Sequence, residues 1–318
     1  MLKVQNLTHR FGDRVALHQL SFEVKSGEIF GLLGPNGSGK TTLFLILSTL
    51  MPLEEGEVFL GGDSLSSSPA LFRQKMGVVF QSASLDKKLT VGENLMHQGH
   101  LYGLSGESLK RRSEQLLSKF RINDRIGEKV EKLSGGLQRR VEIAKAMLHQ
   151  PKILLLDEPS TGLDPGARRE LWNFLHQVNQ EEGVTILVTT HLMDEAERCN
   201  RLLLIDQGKK IDLGTPTELK AKVSGTVITL ESDKAIDLHE HLKARFDVGI
   251  IVMQDSLRLE WNHTSGTRTP SEFLGQVLES FGSEIRSASI AQPNLEDVFI
   301  HLTGHAIYEG DTIKKERI

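Results

Sequence analysis

Gly34-Pro35-Asn36-Gly37-Ser38-Gly39-Lys40-Thr41, with Thr42 following, stands between a short apolar run, Ile29–Leu33, and a helix-forming stretch that starts at Lys40. A glycine-rich turn feeding a helix start aims several backbone N–H groups, and the positive end of the helix, at one anion. Gly34, Gly37 and Gly39 carry no Cβ, which frees the loop to take positive φ and lets phosphate oxygens approach the backbone. Lys40 is placed to reach the β- and γ-phosphates as a mobile charge, and Thr41 to offer its hydroxyl to Mg²⁺. The stretch predicts a nucleoside triphosphate site on an α/β fold.

Working outward, the 318 residues leave room for about two domains. A hydrophobic content of 38% with 25% charged residues is that of a globular chain able to bury a core. The net charge of -4, without a long Lys/Arg run, lacks the electrostatic footprint of a dedicated nucleic-acid binder. The pairs Arg111-Arg112 and Arg139-Arg140 read as solvated helix faces. The single cysteine, Cys199, cannot form an intrachain disulfide and reads as a small buried side chain, which favours a reducing compartment. Residues 1–12 hold no apolar signal core, and no run reaches the roughly 18 apolar residues of a membrane span. The densest stretch, Leu43 to Met51, is interrupted by Ser48 and Thr49 and reads as the buried helix behind the phosphate loop.

Two strand-like runs between Leu2 and Val24 flank a turn at 11–14, and further β-rich pieces follow at 56–60 and 76–80. From 90 to 150 the pattern is helical. The continuous apolar runs 152–157 and 184–190, separated by an amphipathic helix over 166–179, predict a parallel sheet buried on both faces. A first domain thus covers 1–222, with its helical part at about 90–150. A second, smaller α+β domain covers 223–304, ahead of a polar tail, 305–318. Its elements read strand 226–231, helix 237–246, strands 249–254 and 256–262, helix 270–281, strand 284–290 and helix 294–302. The first six follow the β-α-β-β-α-β order of a ferredoxin-like unit.

Apolar Ile153-Leu154-Leu155-Leu156 ends in Asp157-Glu158, two carboxylates at the C-terminal edge of a buried strand, where ligands of open α/β sheets bind. Asp157 suits Mg²⁺, and Glu158 suits orienting and deprotonating an attacking water. Leu133-Ser134-Gly135-Gly136-Leu137-Gln138 opens a helix whose first N–H groups, with Ser134, form a second anion site. His97/His100 and His301/His305 have helical spacing but no third ligand, and read as solvated faces. Trp172 and Trp261 read as core or interface anchors.

The set resembles the nucleotide-binding subunit of an ATP-binding cassette (ABC) transporter, with motifs in family order over most of the first 220 residues or so. They are Walker A (34–42), the Q-loop at Gln81, the signature (133–138), Walker B (153–158), the D-loop ending at Asp164 and the switch His191. The resemblance implies an ATP hydrolase that closes as a homodimer, or pseudo-dimer, around two ATP molecules and drives separate transmembrane permease subunits from the cytoplasmic face of the membrane. By the same resemblance Phe11 stacks on adenine and Gln81 joins Thr41 and Asp157 on Mg²⁺. His191 contacts the γ-phosphate, the partner's coupling helix docks near 80–102, and Ser134 serves the ATP held by the other subunit. Leu137 stands where many relatives have Gln. It resembles the drug-resistance exporter branch, as do 84–91 and the closing 293–299. Resemblance leaves the cargo open. The alternative reading is a soluble ABC-type ATPase acting on nucleic acid or ribosomes. Such proteins tend to carry a second cassette, long coiled-coil insertions or zinc-binding cysteines, none of which this sequence has.

Overall fold

The computed structural model describes residues 1–223, 225–246, 249–253, 255–261 and 269–307. Its contacts divide into two compact units, Met1–Lys210 and Ile211–Ile318.

The first unit opens with a hairpin in which β1 (Leu2–Phe11) and β2 (Arg14–Val24) pair antiparallel, Phe11 opposite Arg14. Next come β3 (Ile29–Leu33), the glycine-rich loop and α1 (Lys40–Leu47). β4 (Glu55–Leu60) and β5 (Asp63–Ser64) extend the hairpin into a four-stranded sheet of order β2-β1-β4-β5. α2 (Pro69–Gln74) leads to β6 (Met76–Val79), and the helical stretch follows as α3 (Val91–Leu101), α4 (Gly106–Lys119) and α5 (Gly135–Met147). The chain then alternates through β7 (Ile153–Asp157), α6 (Pro165–Glu182), β8 (Thr185–Thr190), α7 (Met193–Ala196), β9 (Arg201–Asp206) and β10 (Lys209–Gly214).

The second sheet has the order β10-β9-β3-β8-β7-β6. The run from β9 to β6 is parallel, and β3, β7 and β8 are buried at every position, as a sheet covered on both faces requires. Parallel alignment brings their carboxyl ends to one edge. There β3 runs into Gly34, β7 into Glu158 and β8 into His191.

The second unit holds α8 (Pro216–Lys220), β11 (Thr226–Glu231), α9 (Ala235–Arg245), β12 (Ile250–Val252), β13 (Ser256–Trp261), α10 (Pro270–Phe281), β14 (Ser287–Ala291) and α11 (Leu295–Thr303). Its antiparallel sheet has the order β12-β13-β11-β14, which is the strand order of a split β-α-β-β-α-β unit. Leu238 and Leu242 of α9, Phe273 and Val277 of α10 and the inward residues of β11 and β13 form its core. The division between units falls at 210/211 rather than at the 222/223 read from sequence, because α8 packs on α11. The expected strand ends at 254 and 262 and residues 308–318 of the expected tail lie outside the described residues.

Candidate functional site

A cavity of about 480 Å³ lies over the glycine-rich loop, lined by Phe11, Asn36, Gly37, Gly39, Lys40, Thr41, Thr42 and Glu158. Six further wall positions were not singled out in the sequence: Arg14, Val15, Ala16 and His18 from the β1–β2 hairpin, and Gln207 and Lys209 from the β9–β10 turn. Backbone bonds fasten that wall, with His18 N–H donating to Gly208 O at 2.8 Å and Gly208 N–H to Ser38 O at 2.9 Å. Gly208 has φ +73°, and a Cβ there would collide with the Ala16 carbonyl.

Lys40 is buried, and its Nζ donates to the carbonyls of Gly34 and Pro35, each at 2.8 Å. Burial pushes the ammonium below its usual pKa, against the pull of Glu158 and Asp157. Ser38 Oγ is buried without a hydrogen-bond partner. A desolvated cation and a helix start converging on one cavity fit a polyanion such as a triphosphate. Gly37 and Gly39 take positive φ, as the turn demands. Gly34 does not; its Cβ would clash with the Ile205 carbonyl, so that position needs glycine for space rather than for conformation.

Asp157 is buried at the end of β7, and Thr189 Oγ1 of β8 donates to its Oδ1 at 2.5 Å. Burial raises its pKa, opposed by that hydrogen bond. Glu158 sits at φ 40°, an uncommon value for a non-glycine residue and one met at functional sites. Its N–H donates to Thr189 Oγ1 at 2.9 Å, while its carboxylate accepts from Gln81 Nε2 at 3.3 Å and Thr161 Oγ1 at 3.2 Å. His191 Nδ1 lies 3.1 Å from its other oxygen. The strained turn thus gathers Gln81, Glu158 and His191 from three strand ends.

Phe11 is 51% exposed and meets His9 edge to face, so it is a free aromatic surface at the cavity rim and not a core residue. Ser134, Gly135, Gly136 and Asp164 do not line this cavity. Ser134 caps α5 by accepting from Leu137 N–H, and Asp164 caps α6 by accepting from Ala167 N–H. The two helix starts adjoin, since a Cβ on Gly135 would come 3.3 Å from Leu163 and one on Gly136 3.5 Å from Ala167.

Two readings of the basic pairs need correction. Arg139 is 6% exposed and Arg112 pairs with Glu182 and the Met147 carbonyl, so neither is solvated as the sequence suggested. Trp172 and Trp261 are both buried in cores. Among the described residues no group of three or more His, Cys, Asp or Glu could hold a metal, and no helix is long and apolar enough to cross a membrane.

A glycine-rich loop aimed at an anion, opposite a strand-end carboxylate pair, defines a P-loop nucleotide-binding protein. The ABC transporter family profile matches residues 17–161. The chain is 33% identical over 311 residues to the linearmycin resistance ATP-binding protein of Bacillus subtilis, covering 96% of this chain and 99% of that one. It is 37% identical over 307 residues to the Nod factor export ATP-binding protein I of Cupriavidus metallidurans (96% and 97%). With a daunorubicin resistance ATP-binding protein of Streptomyces coeruleorubidus it shares 34% over 304 residues (95% and 96%). Among solved structures it resembles a dimeric ATP-binding cassette in a post-hydrolysis state with ADP and Pi, at 30% identity and a TM-score of 0.60, over 68% of this chain and 98% of that one. A subunit of an ABC transporter complex from Clostridium perfringens matches at 26% identity and a TM-score of 0.65 (77% and 94%). The chain belongs to the ATP-binding subunits of ABC transporters. It binds ATP and is an ATP hydrolase.

Proposed function

We propose that two copies of this chain close around two Mg-ATP molecules and drive export through separate transmembrane subunits. The observation that carries this reading is the separation of two anion sites within one chain. Lys40 and Glu158 share a cavity, whereas the α5 start at Ser134–Gly136 and the α6 start at Asp164 do not line it. A two-fold dimer that sets the α5 start of one copy over the cavity of the other completes both sites at once.

In that dimer Lys40 and the loop N–H groups hold the β- and γ-phosphates, Phe11 stacks on the base, and Ser134 with Gly135 and Gly136 reaches the γ-phosphate from the partner copy. Glu158 orients and deprotonates the attacking water, and His191, held on Glu158, contacts the γ-phosphate. The oxygen donors Thr41, Gln81 and Asp157 suit Mg²⁺, which would share its coordination with the triphosphate. When bound, Mg²⁺ supplies neutralisation of the charge that develops on the phosphoryl oxygens.

Export is supported by full-length similarity to resistance and Nod factor export proteins. A membrane partner is supported by a groove of about 300 Å³ beside the Q-loop, lined in part by Leu50, Arg73, Phe80, Gln98 and Tyr102. Leu50 is 64% exposed and Tyr102 37%, an apolar surface suited to a coupling helix. The chain would then sit peripherally at the cytoplasmic face of the membrane. The second unit braces the dimer, and removal of 224–318 is expected to weaken ATP-dependent dimerisation.

The deciding experiment is light scattering on Glu158→Gln with and without Mg-ATP, where an ATP-dependent dimer is expected. A lone copy that encloses ATP and hydrolyses it at full speed would overturn the reading. Copurification of an integral membrane protein is expected. Recovery of RNA or DNA in its place would favour a soluble ATPase.

A further inference from the structure

Outside the cavity, α5 carries two charges that are almost wholly removed from water, Arg139 at 6% exposure and Glu142 at 3%. They pair at 2.7 Å. Such a pair is costly unless its remaining donors and acceptors are also satisfied. Here Arg139 Nε donates to Pro159 O at 2.8 Å, Nη1 to Phe80 O at 2.7 Å and Nη2 to Gln81 O at 3.1 Å. Glu142 Oε1 accepts from Ser84 N–H at 2.6 Å, and Lys145, one turn further on, donates to Ser84 O at 2.7 Å.

The three carbonyls belong to the two segments that set Glu158. Pro159 is the next residue in the chain, and Gln81 is the residue whose side-chain amide donates to the Glu158 carboxylate. One planar guanidinium therefore joins the backbone after Glu158 to the backbone of its hydrogen-bond partner. A lysine, with a single point of charge on a flexible stem, cannot span the three acceptors in one plane.

We propose that Arg139, charge-balanced by Glu142, is a positioning residue for hydrolysis that holds Gln81 and Glu158 in one fixed geometry at the γ-phosphate. This rests on the reading of Glu158 as the base. The nucleotide contacts at Lys40 and Phe11 lie elsewhere, so the role bears on turnover far more than on ATP affinity.

The test is steady-state ATP hydrolysis by the full chain, with melting temperature measured alongside. Arg139→Met combined with Glu142→Gln removes both charges together and keeps an acceptor for Ser84 N–H. Arg139→Lys, as a second variant, keeps the ion pair and loses only the fork. Both are expected to melt near wild type, with KM for ATP within about threefold and kcat lowered roughly 10- to 100-fold. Wild-type kcat in either folded variant would overturn the proposal. So would a rate loss in Arg139→Ala that is recovered together with melting temperature in the double variant, since a purely structural role predicts that pattern. Wild type and Glu158→Gln run as controls separate the two readings. If Glu158→Gln turns over normally the assignment of the base fails, and if only the Arg139 variants do, the positioning role fails.

Discussion

In the first unit seven non-glycine residues take positive φ, among them Glu158 and Gln207 at the cavity, while none among the described residues of the second unit does. The first unit also buries Lys40, Asp157, Arg139, Glu142 and Glu195. The second is built the other way. Its helices α8, α10 and α11 each start with a reciprocal capping box, at Thr215, Thr269 and Asn294. Its main apolar cluster lies around Phe273 and Leu238 with a smaller one at Met253, Ile300 and Ala306, and its one buried carboxylate among the described residues, Asp297, is paired with Arg258. Where every local choice agrees with the fold, the structure holds itself; where strain and buried charge gather, the chain has been shaped for something other than stability.

That contrast can be attacked from either side. The largest effect is expected at the strained turn, where Glu158→Gln should lower kcat roughly 10²- to 10⁴-fold, the usual worth of a general base, with ATP still bound. Steady-state assays beside equilibrium nucleotide binding check it, and near-normal turnover would remove Glu158 from that role. On the other side, Phe273→Ala empties the centre of the second core and should cost about 3 to 5 kcal/mol in denaturant unfolding. ATP affinity should stay unchanged, because no residue beyond Lys209 lines the cavity. Next in size, Lys40→Ala removes a charge that the loop has desolvated, and ATP binding should weaken roughly 10- to 100-fold, as loss of charge-assisted hydrogen bonds does. Calorimetry showing unchanged affinity would contradict it.

The smallest effect concerns acid. Burial holds the His149 imidazole below its ordinary value of 6.5, against its bond to Met76 O. With the folded pKa depressed, the unfolded chain takes up the proton first. Stability is therefore complete above pH 6.5 and declines as the pH falls from there toward the folded value. His149→Gln should flatten that part of a melting-temperature profile, and an unchanged slope would assign the acid sensitivity to other groups.

The sequence was informative where one local pattern dictates one element. The alternation of apolar runs and turns predicted β3, β7, β8 and β11 to within a residue of their ends, and the phosphate loop and Glu158 line one cavity. What escaped depends on segments far apart in the chain. Nothing near Gln207 announces that a hairpin about 190 residues earlier will complete a wall with it, because the link is a backbone hydrogen bond from His18 N–H to Gly208 O, which no side-chain pattern encodes. Arg139 was misread for a related reason: two adjacent arginines in a polar helix look solvated, and only the Glu142 three residues on hints that one of them turns inward.

Gly208 joins the hairpin, the phosphate loop and the last turn of the first unit at one point with no space for a methyl group. In a saturation-mutagenesis survey it should therefore score with Gly39 as intolerant of all nineteen replacements, although no motif search would mark it. Inherited variation at this plain two-residue turn would then disable the ATPase as surely as a change in the triphosphate loop.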